Sequence, residues 1–156
     1  MDEIILGDYK EGEEKEISEM IRAVFGEFVA PCYSVEGISE FNSGILPERL
    51  AERVRTGDEF IVTAKDGQKI VGIIGIKENK HISLLYVEKK YHCRGIARKM
   101  LFSALEKCRK KDPKLAEITV NSSLYGVYIC QQLGFQLTSA EQEEKGMKFF
   151  PMSKKI

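Results

Sequence analysis

The stretch YVEKKYHCRGIARKML, Tyr86 to Leu101, holds the residue types best placed to do chemistry. A strand signal ends at Val87, a short polar turn follows, and a helical period opens near Gly95. A helix N-terminus presents backbone N–H groups without intrahelical acceptors, together with a partial positive charge, and both suit phosphate oxygens. Gly95 leaves room for a ligand against the backbone, and Ala97 keeps the position two residues on small. Between Lys89 and Lys99 there are five basic residues, Lys89, Lys90, Arg94, Arg98 and Lys99, and no acid. In a chain with 24 basic and 24 acidic residues, that is the largest local excess of charge, and the ligand it fits is a polyphosphate. The plainer alternative is a solvated helix start. The pattern is neither GxGxxG nor GxxxxGKS/T, which disfavours a dinucleotide fold and a P-loop.

Composition narrows the class. A net charge of zero argues against a nucleic-acid coat and against a membrane-surface protein, so neither partner is expected. The longest apolar run, Val71 to Ile76, is too short to span a bilayer, and the opening MDEIILGDYK carries no basic secretory segment. Cys32, Cys93, Cys108 and Cys130 form no CxxC pair and are expected as reduced thiols in a cytoplasmic protein. His81 and His92 lie at ligand spacing from no two thiols, so no metal site is expected. A length of 156 residues with 43% apolar and 31% charged content predicts one globular domain over 1–156.

The elements that must position the basic run follow from periodicity. A short opening strand near Glu3–Leu6 precedes an amphipathic helix from Glu14 to Phe28, with Ile17, Met20, Ile21, Val24, Phe25 and Phe28 on one face. Pro31 stops it. Further helices follow Ser34 up to Gly44, and run from Pro47 to Gly57. Phe60–Ala64, Lys69–Ile76 and His81–Val87 read as an antiparallel meander with Asp66-Gly67 at its first turn. Gly95 to about Lys110 is helical, Glu117–Asn121 is a strand, and Ser123 is expected to cap a helix through Gln132. Phe135–Leu137 and Met147–Met152 close the chain as a strand pair. The fold class is α+β, a mostly antiparallel mixed sheet flanked by helices on both faces.

Within that order, HCRGIA (His92 to Ala97) resembles the acyl-CoA pyrophosphate loop of the GCN5-related N-acetyltransferase (GNAT) family: Gln or Arg, two variable residues, Gly, one variable residue, then Gly or Ala. NSSLYGVYICQQLGF, Asn121 to Phe135, is similar to the family's strand–helix block ending in Leu-Gly-Phe. The resemblance covers nearly the whole chain. It implies that acetyl-CoA is the acyl donor, with His92, Cys93, Arg94, Gly95, Ile96 and Ala97 holding its pyrophosphate and Arg98 and Lys99 nearby. Leu85, Tyr86 and Val87 would pair with the pantetheine arm, between two splayed strands, with Asn121 and Tyr128 as further cofactor contacts. The acceptor would be a small-molecule or peptide amine, and Phe28, Cys32, Tyr33 and Phe41 would wall its groove. A homodimer through closing strands is open.

Two positions depart from the family. His92 stands where Gln or Arg is usual, and its ring can still donate a hydrogen bond. Cys130 occupies the position of a frequent Tyr that protonates the departing CoA thiolate. Tyr128 is roughly 200° away around a helix and cannot replace it, and Tyr125 also lies on a different face. A thiol can donate a proton, so Cys130 is the candidate general acid, although a space-filling core thiol is the alternative. As a nucleophile it would need an activating neighbour, which Gly126, Val127 and Gly134 do not supply. Glu88 is the candidate base, with Glu117 second, unless water and backbone carbonyls relay the proton. The reading is an N-acetyltransferase working by direct attack in a ternary complex. Its rivals are a non-catalytic acyl-CoA-binding module and a small interaction domain that does not bind CoA.

Overall fold

The computed structural model describes residues 3–156. Strand β1 (Ile4–Asp8) lies slightly later than the expected opening strand. Helix α1 (Glu14–Phe28) buries Ile17, Met20, Ile21, Val24 and Phe25, the stripe its three-and-four spacing dictates. A short 3₁₀ turn at Ala30–Cys32 carries Pro31. The Ser34 side chain caps α2 (Val35–Gly44) by accepting from the Gly37 N–H at 3.1 Å. Helix α3 (Pro47–Thr56) opens on Pro47 and ends at Gly57, whose φ of +85° is the left-handed stop that favours glycine.

Strands β2 (Glu59–Asp66), β3 (Lys69–Lys77) and β4 (His81–Val87) form the expected meander. Helix α4 (Ile96–Lys111) follows with Gly95 as its N-cap residue, then β5 (Glu117–Ser122) and a short α5 (Val127–Gln132). Ser123 caps a turn rather than a long helix: the Gly126 N–H donates to its Oγ at 3.1 Å and to its carbonyl at 3.0 Å. Strands β6 (Gln136–Leu137), β7 (Gln142–Glu144) and β8 (Met147–Lys155) complete the chain. The expected closing pair therefore gains β7, which meets β8 through the two-residue turn Lys145-Gly146, with φ of +52° and +80°.

The sheet runs β1-β2-β3-β4-β5-β8-β6, with β7 also on β8. Every pairing is antiparallel except β4 with β5. One face packs α4 over Val62, Val71, Ile74, Ile82, Ile118, Val120 and Met152. The other packs α1 and α3 over Ile61, Ile70, Ile73 and Leu84. The α4 core therefore joins both halves of the sheet across its one parallel pairing.

Candidate active site

That parallel pairing is short. It comprises His81 opposite Thr119 and Ile82 opposite Val120, and there it stops. Beyond it β5 stays with β8 through Ser122, while β4 stays with β3 through Val87. The β4 edge from Ser83 to Val87 therefore borders a gap in the middle of the sheet. Asn121, one residue past the last pair, stands across the apex from Ser83 and is exposed. Leu85, Tyr86 and Val87 lie along the open edge.

At the wide end of the gap, β4 runs into the basic loop. The Glu88 N–H donates to the Val71 carbonyl at 2.8 Å, and a 3₁₀ turn at Lys89–Tyr91 follows. The Tyr91 hydroxyl donates to Asp66 at 2.5 Å, and the Arg94 guanidinium lies 5.2 Å from the centre of the Tyr91 ring, tying the loop to the β2–β3 hairpin. Cys93 and Gly95 adopt φ of +62° and +76°. Such turns bring successive N–H groups into an anion-binding concavity. The Lys99 N–H bonds the Gly95 carbonyl at 3.1 Å, so the N–H groups of the first helical turn before it have no intrahelical acceptor. Ala97 is half-buried there and Ile96 is anchored in the core, which holds the helix end still.

Several expected cofactor residues have a second task. His92 Nε2 lies 2.7 Å from the Val87 carbonyl, which can only accept, so Nε2 carries the proton and the ring locks the loop onto β4. Arg98 donates to the Gln132 carbonyl at 2.9 Å, joining α4 to the end of α5. Lys89 pairs with Glu27 at 2.7 Å. Lys99 is exposed beside the helix end. Tyr128, at 60% exposure, lies on the outer surface of α5.

The catalytic candidates are not brought together. Cys130 is buried in the α4 core, its Sγ 3.8 Å from Ser122 Oγ, and burial pushes its thiol above the ordinary value. Glu88 pairs with Lys69 of β3 at 3.0 Å, on the side of β4 opposite the gap. Glu117 is exposed at the far start of β5. Two aromatic groups frame the α1 face of the gap instead. Phe25 stacks on Phe41 at 3.8 Å, Tyr33 meets Phe25 edge-on at 5.4 Å, and Tyr86 lies 6.1 Å from Phe41. Burial raises the Tyr33 and Tyr86 phenols, so both are neutral donors. Nearer the loop, Phe28 stacks on Tyr125 at 4.6 Å and meets His92 at 5.4 Å. Of the expected acceptor wall, Tyr33 and Phe41 sit together, Phe28 sits with the loop, and Cys32 is exposed on the 3₁₀ turn.

Sequence reasoning missed Ser83, Glu59 and Arg53, and it weighed Tyr125 only as a general acid, not as a ring stacked on Phe28 beside the loop. Buried Glu59 accepts from Arg53 Nε at 3.2 Å and from the Ser83 hydroxyl. An acid directly ahead of the apolar run Phe60–Val62 is the signal that could have found Glu59.

A mixed sheet split beside an anion-ready helix end is the arrangement that the loop motif's resemblance to the N-acetyltransferases implies. A family model described as an acetyltransferase (GNAT) domain matches residues 29–156, and the chain belongs to that family. Similar solved structures include a PaiA N-acetyltransferase from Thermoplasma acidophilum in complex with coenzyme A, 21% identical, TM-score 0.82, covering 99% of each chain. A GCN5-related N-acetyltransferase from Rhodopseudomonas palustris is 20% identical at TM-score 0.82, covering 100% of this chain and 98% of the other. An aminoglycoside 6′-N-acetyltransferase complexed with coenzyme A is 13% identical at TM-score 0.72, covering 97% and 96%. These likenesses share the α+β fold, and family membership makes the chain an acyltransferase.

Proposed function

We propose that this protein transfers the acetyl group of acetyl-CoA to a primary amine by direct attack within a ternary complex. The observation that carries the reading is the open β4 edge from Ser83 to Val87, leading to the N–H groups at the start of α4 that have no intrahelical acceptor. The pyrophosphate sits on the backbone of Cys93 to Ala97, beside Lys99. The pantetheine arm lies along Leu85–Val87, which brings the thioester to the apex between Ser83 and Asn121. The amine nitrogen forms a bond to the thioester carbonyl carbon, the C–S bond breaks, and the amine gives up a proton to water. The departing thiolate takes its proton from solvent, because Cys130 is buried and its thiol is raised. A thiolate is a leaving group good enough that a missing general acid costs about the low end of 10²–10⁴-fold. An aminoglycoside acetyltransferase among the structural neighbours makes small polyamino compounds a sensible first acceptor set. Four free thiols fit a reducing compartment.

Calorimetric titration with acetyl-CoA, with ATP and NAD as controls, tests this reading. Selective one-to-one binding in the micromolar range is the expected outcome, and no saturable acetyl-CoA binding overturns it. A second reading, an acyl-CoA-binding module without chemistry, is favoured by the thiol at position 130. Wild-type turnover of a panel of amines decides between them: measurable acetyl transfer supports the enzyme, and one-to-one acetyl-CoA binding with no turnover of any amine supports the module.

A further inference from the structure

Ser83 occupies a position unlike any other on β4. Ile76 pairs with Ile82 and Gly75 with Leu84, so Ser83 is the extra residue of a bulge. The bulge turns Ser83 and Leu84 to the same face, the one covered by α1 and α3. Leu84 packs into that core. Ser83 instead sends its hydroxyl across β3 to Glu59 on β2.

The path over β3 is kept open by a glycine. A Cβ at Gly75 would lie 2.9 Å from Ser83 Oγ and 3.1 Å from Glu59 Oε2. Glu59 is 2% exposed, and its other oxygen accepts from Arg53 Nε at 3.2 Å. Arg53 Nη1 in turn donates to the Gly44 carbonyl at 2.9 Å. A guanidinium only donates, so the direction of every bond in this chain is fixed. The single hydroxyl proton of Ser83 is committed to the carboxylate. Its lone pairs are what remain for a ligand, and Ser83 is the half-buried end of the network on β4, with the buried Glu59 between it and the half-buried Arg53. It stands where β5 leaves β4, with Asn121 across the apex on the same face.

We infer that Ser83 Oγ receives an N–H of the acceptor amine at the apex of the gap, and that Glu59 and Arg53 act as positioning residues that hold the hydroxyl acceptor-only. An amine that gives one N–H to Ser83 has its nitrogen lone pair turned away from that oxygen, toward the thioester. The inference rests on the acetyltransferase reading, because only a thioester in the gap gives that orientation a use.

The test is steady-state acetylation of spermidine, 2-phenylethylamine and kanamycin, with acetyl-CoA affinity measured separately by calorimetry. Ser83→Ala is expected to lower kcat/KM for the amine about tenfold or more, with acetyl-CoA affinity within about twofold of wild type, and Ser83→Thr is expected to restore activity. In Glu59→Gln, Arg53 takes the amide oxygen and leaves the NH₂ facing Ser83. The hydroxyl must then accept from the amide and turn its proton toward the substrate, so amine kcat/KM falls at least as far as in Ser83→Ala. Because Glu59 acts through Ser83, Glu59→Gln adds nothing to the loss of amine kcat/KM in the Ser83→Ala background, whereas a loss independent of Ser83 would multiply with it. If Glu59→Gln does not fold, the Ser83→Ala and Ser83→Thr pair decides alone. Unchanged kcat/KM in Ser83→Ala, losses that multiply in the double variant, or acetyl-CoA affinity falling in step each overturn the inference. Acetyl-CoA binding without turnover of any of the three amines overturns it too, while leaving the cofactor site standing. Absence of acetyl-CoA binding overturns the acetyltransferase reading itself.

Discussion

Gly95 is fixed by its backbone, and under the proposed function by its ligand as well. Its φ of +76° is a left-handed conformation that costs an L side chain about 1–2 kcal/mol. Yet a Cβ there would meet no atom within 4 Å, so protein packing does not forbid a side chain. The open space lies at the start of α4, where the proposed function puts the pyrophosphate. Gly95→Ala is therefore expected to lose about 1–2 kcal/mol of stability, read as a lower Tm, while keeping part of its acetyl-CoA affinity. Gly95→Glu adds bulk and negative charge in the same space and is expected to abolish acetyl-CoA binding while still folding. Binding that survives in Gly95→Glu would move the phosphates away from this loop. His92 makes a complementary point: the usual Gln or Arg is absent, and the imidazole serves the loop by bonding the Val87 carbonyl at 2.7 Å.

Among the elements, those with strong local signals were legible and those defined by partners were not. Helix α1 matched from Glu14 to Phe28 because its apolar spacing is unbroken, and α3 was bounded by Pro47 and Gly57. Strand β7 escaped because Gln142–Glu144 has no apolar or β-branched residue, and its pairing depends on the turn at Lys145-Gly146. The end of the β4–β5 pairing after two positions has no signature in either strand, since β5 simply follows β8 instead. The Ser83–Glu59 contact was hidden for a related reason: it needs a bulge in β4 and a bare position at Gly75 to span 24 residues of sequence. The basic loop, in contrast, was legible because one short segment carries it. A second tight contact joins α2 to the β7–β8 hairpin. A Cβ on Gly37 would lie 2.2 Å from the Gly146 carbonyl oxygen, and Ser34 Oγ donates to that same oxygen at 3.2 Å. Gly37→Ala must push the hairpin off the helix and is expected to cost about 1–3 kcal/mol. Thermal unfolding measures that loss, and calorimetry should find acetyl-CoA affinity near wild type, because Gly37 and Gly146 are not among the residues proposed to hold acetyl-CoA. An unchanged Tm would mean the two elements can separate freely.

Across the whole molecule, the gap weakens the sheet at its centre, so what joins β1–β4 to β5–β8 matters for stability as well as function. The α4 core does most of this, with Ile118, Val120 and Met152 from one half packed among Val62, Ile74 and Ile82 from the other. Polar contacts at the junction add to it: the Thr119 N–H donates to the Lys80 carbonyl at 3.0 Å, and His81 Nδ1 lies 2.7 Å from Thr119 Oγ1. Burial lowers the His81 pKa, with nearby Lys77 lowering it further and Glu78 opposing. The folded protein thus resists the imidazolium more than the unfolded chain does. The stability this contributes is present in full above the unfolded value of about 6.5 and is lost as pH falls below it. With a formal net charge of zero at neutrality, no general charge repulsion obscures that dependence. Wild-type stability to urea should therefore decline from pH 7 to pH 5 with a slope of at most about 1.4 kcal/mol per pH unit from this one proton. His81→Gln keeps a hydrogen-bonding side chain toward Thr119 but cannot titrate, so its curve should be flatter over that window. Glu14, held below its ordinary value first by the Tyr9 hydroxyl, contributes in the same sense but only nearer the carboxylate range, and separates as a later acid step. Parallel curves for wild type and His81→Gln between pH 7 and pH 5 would show that the junction does not sense protonation.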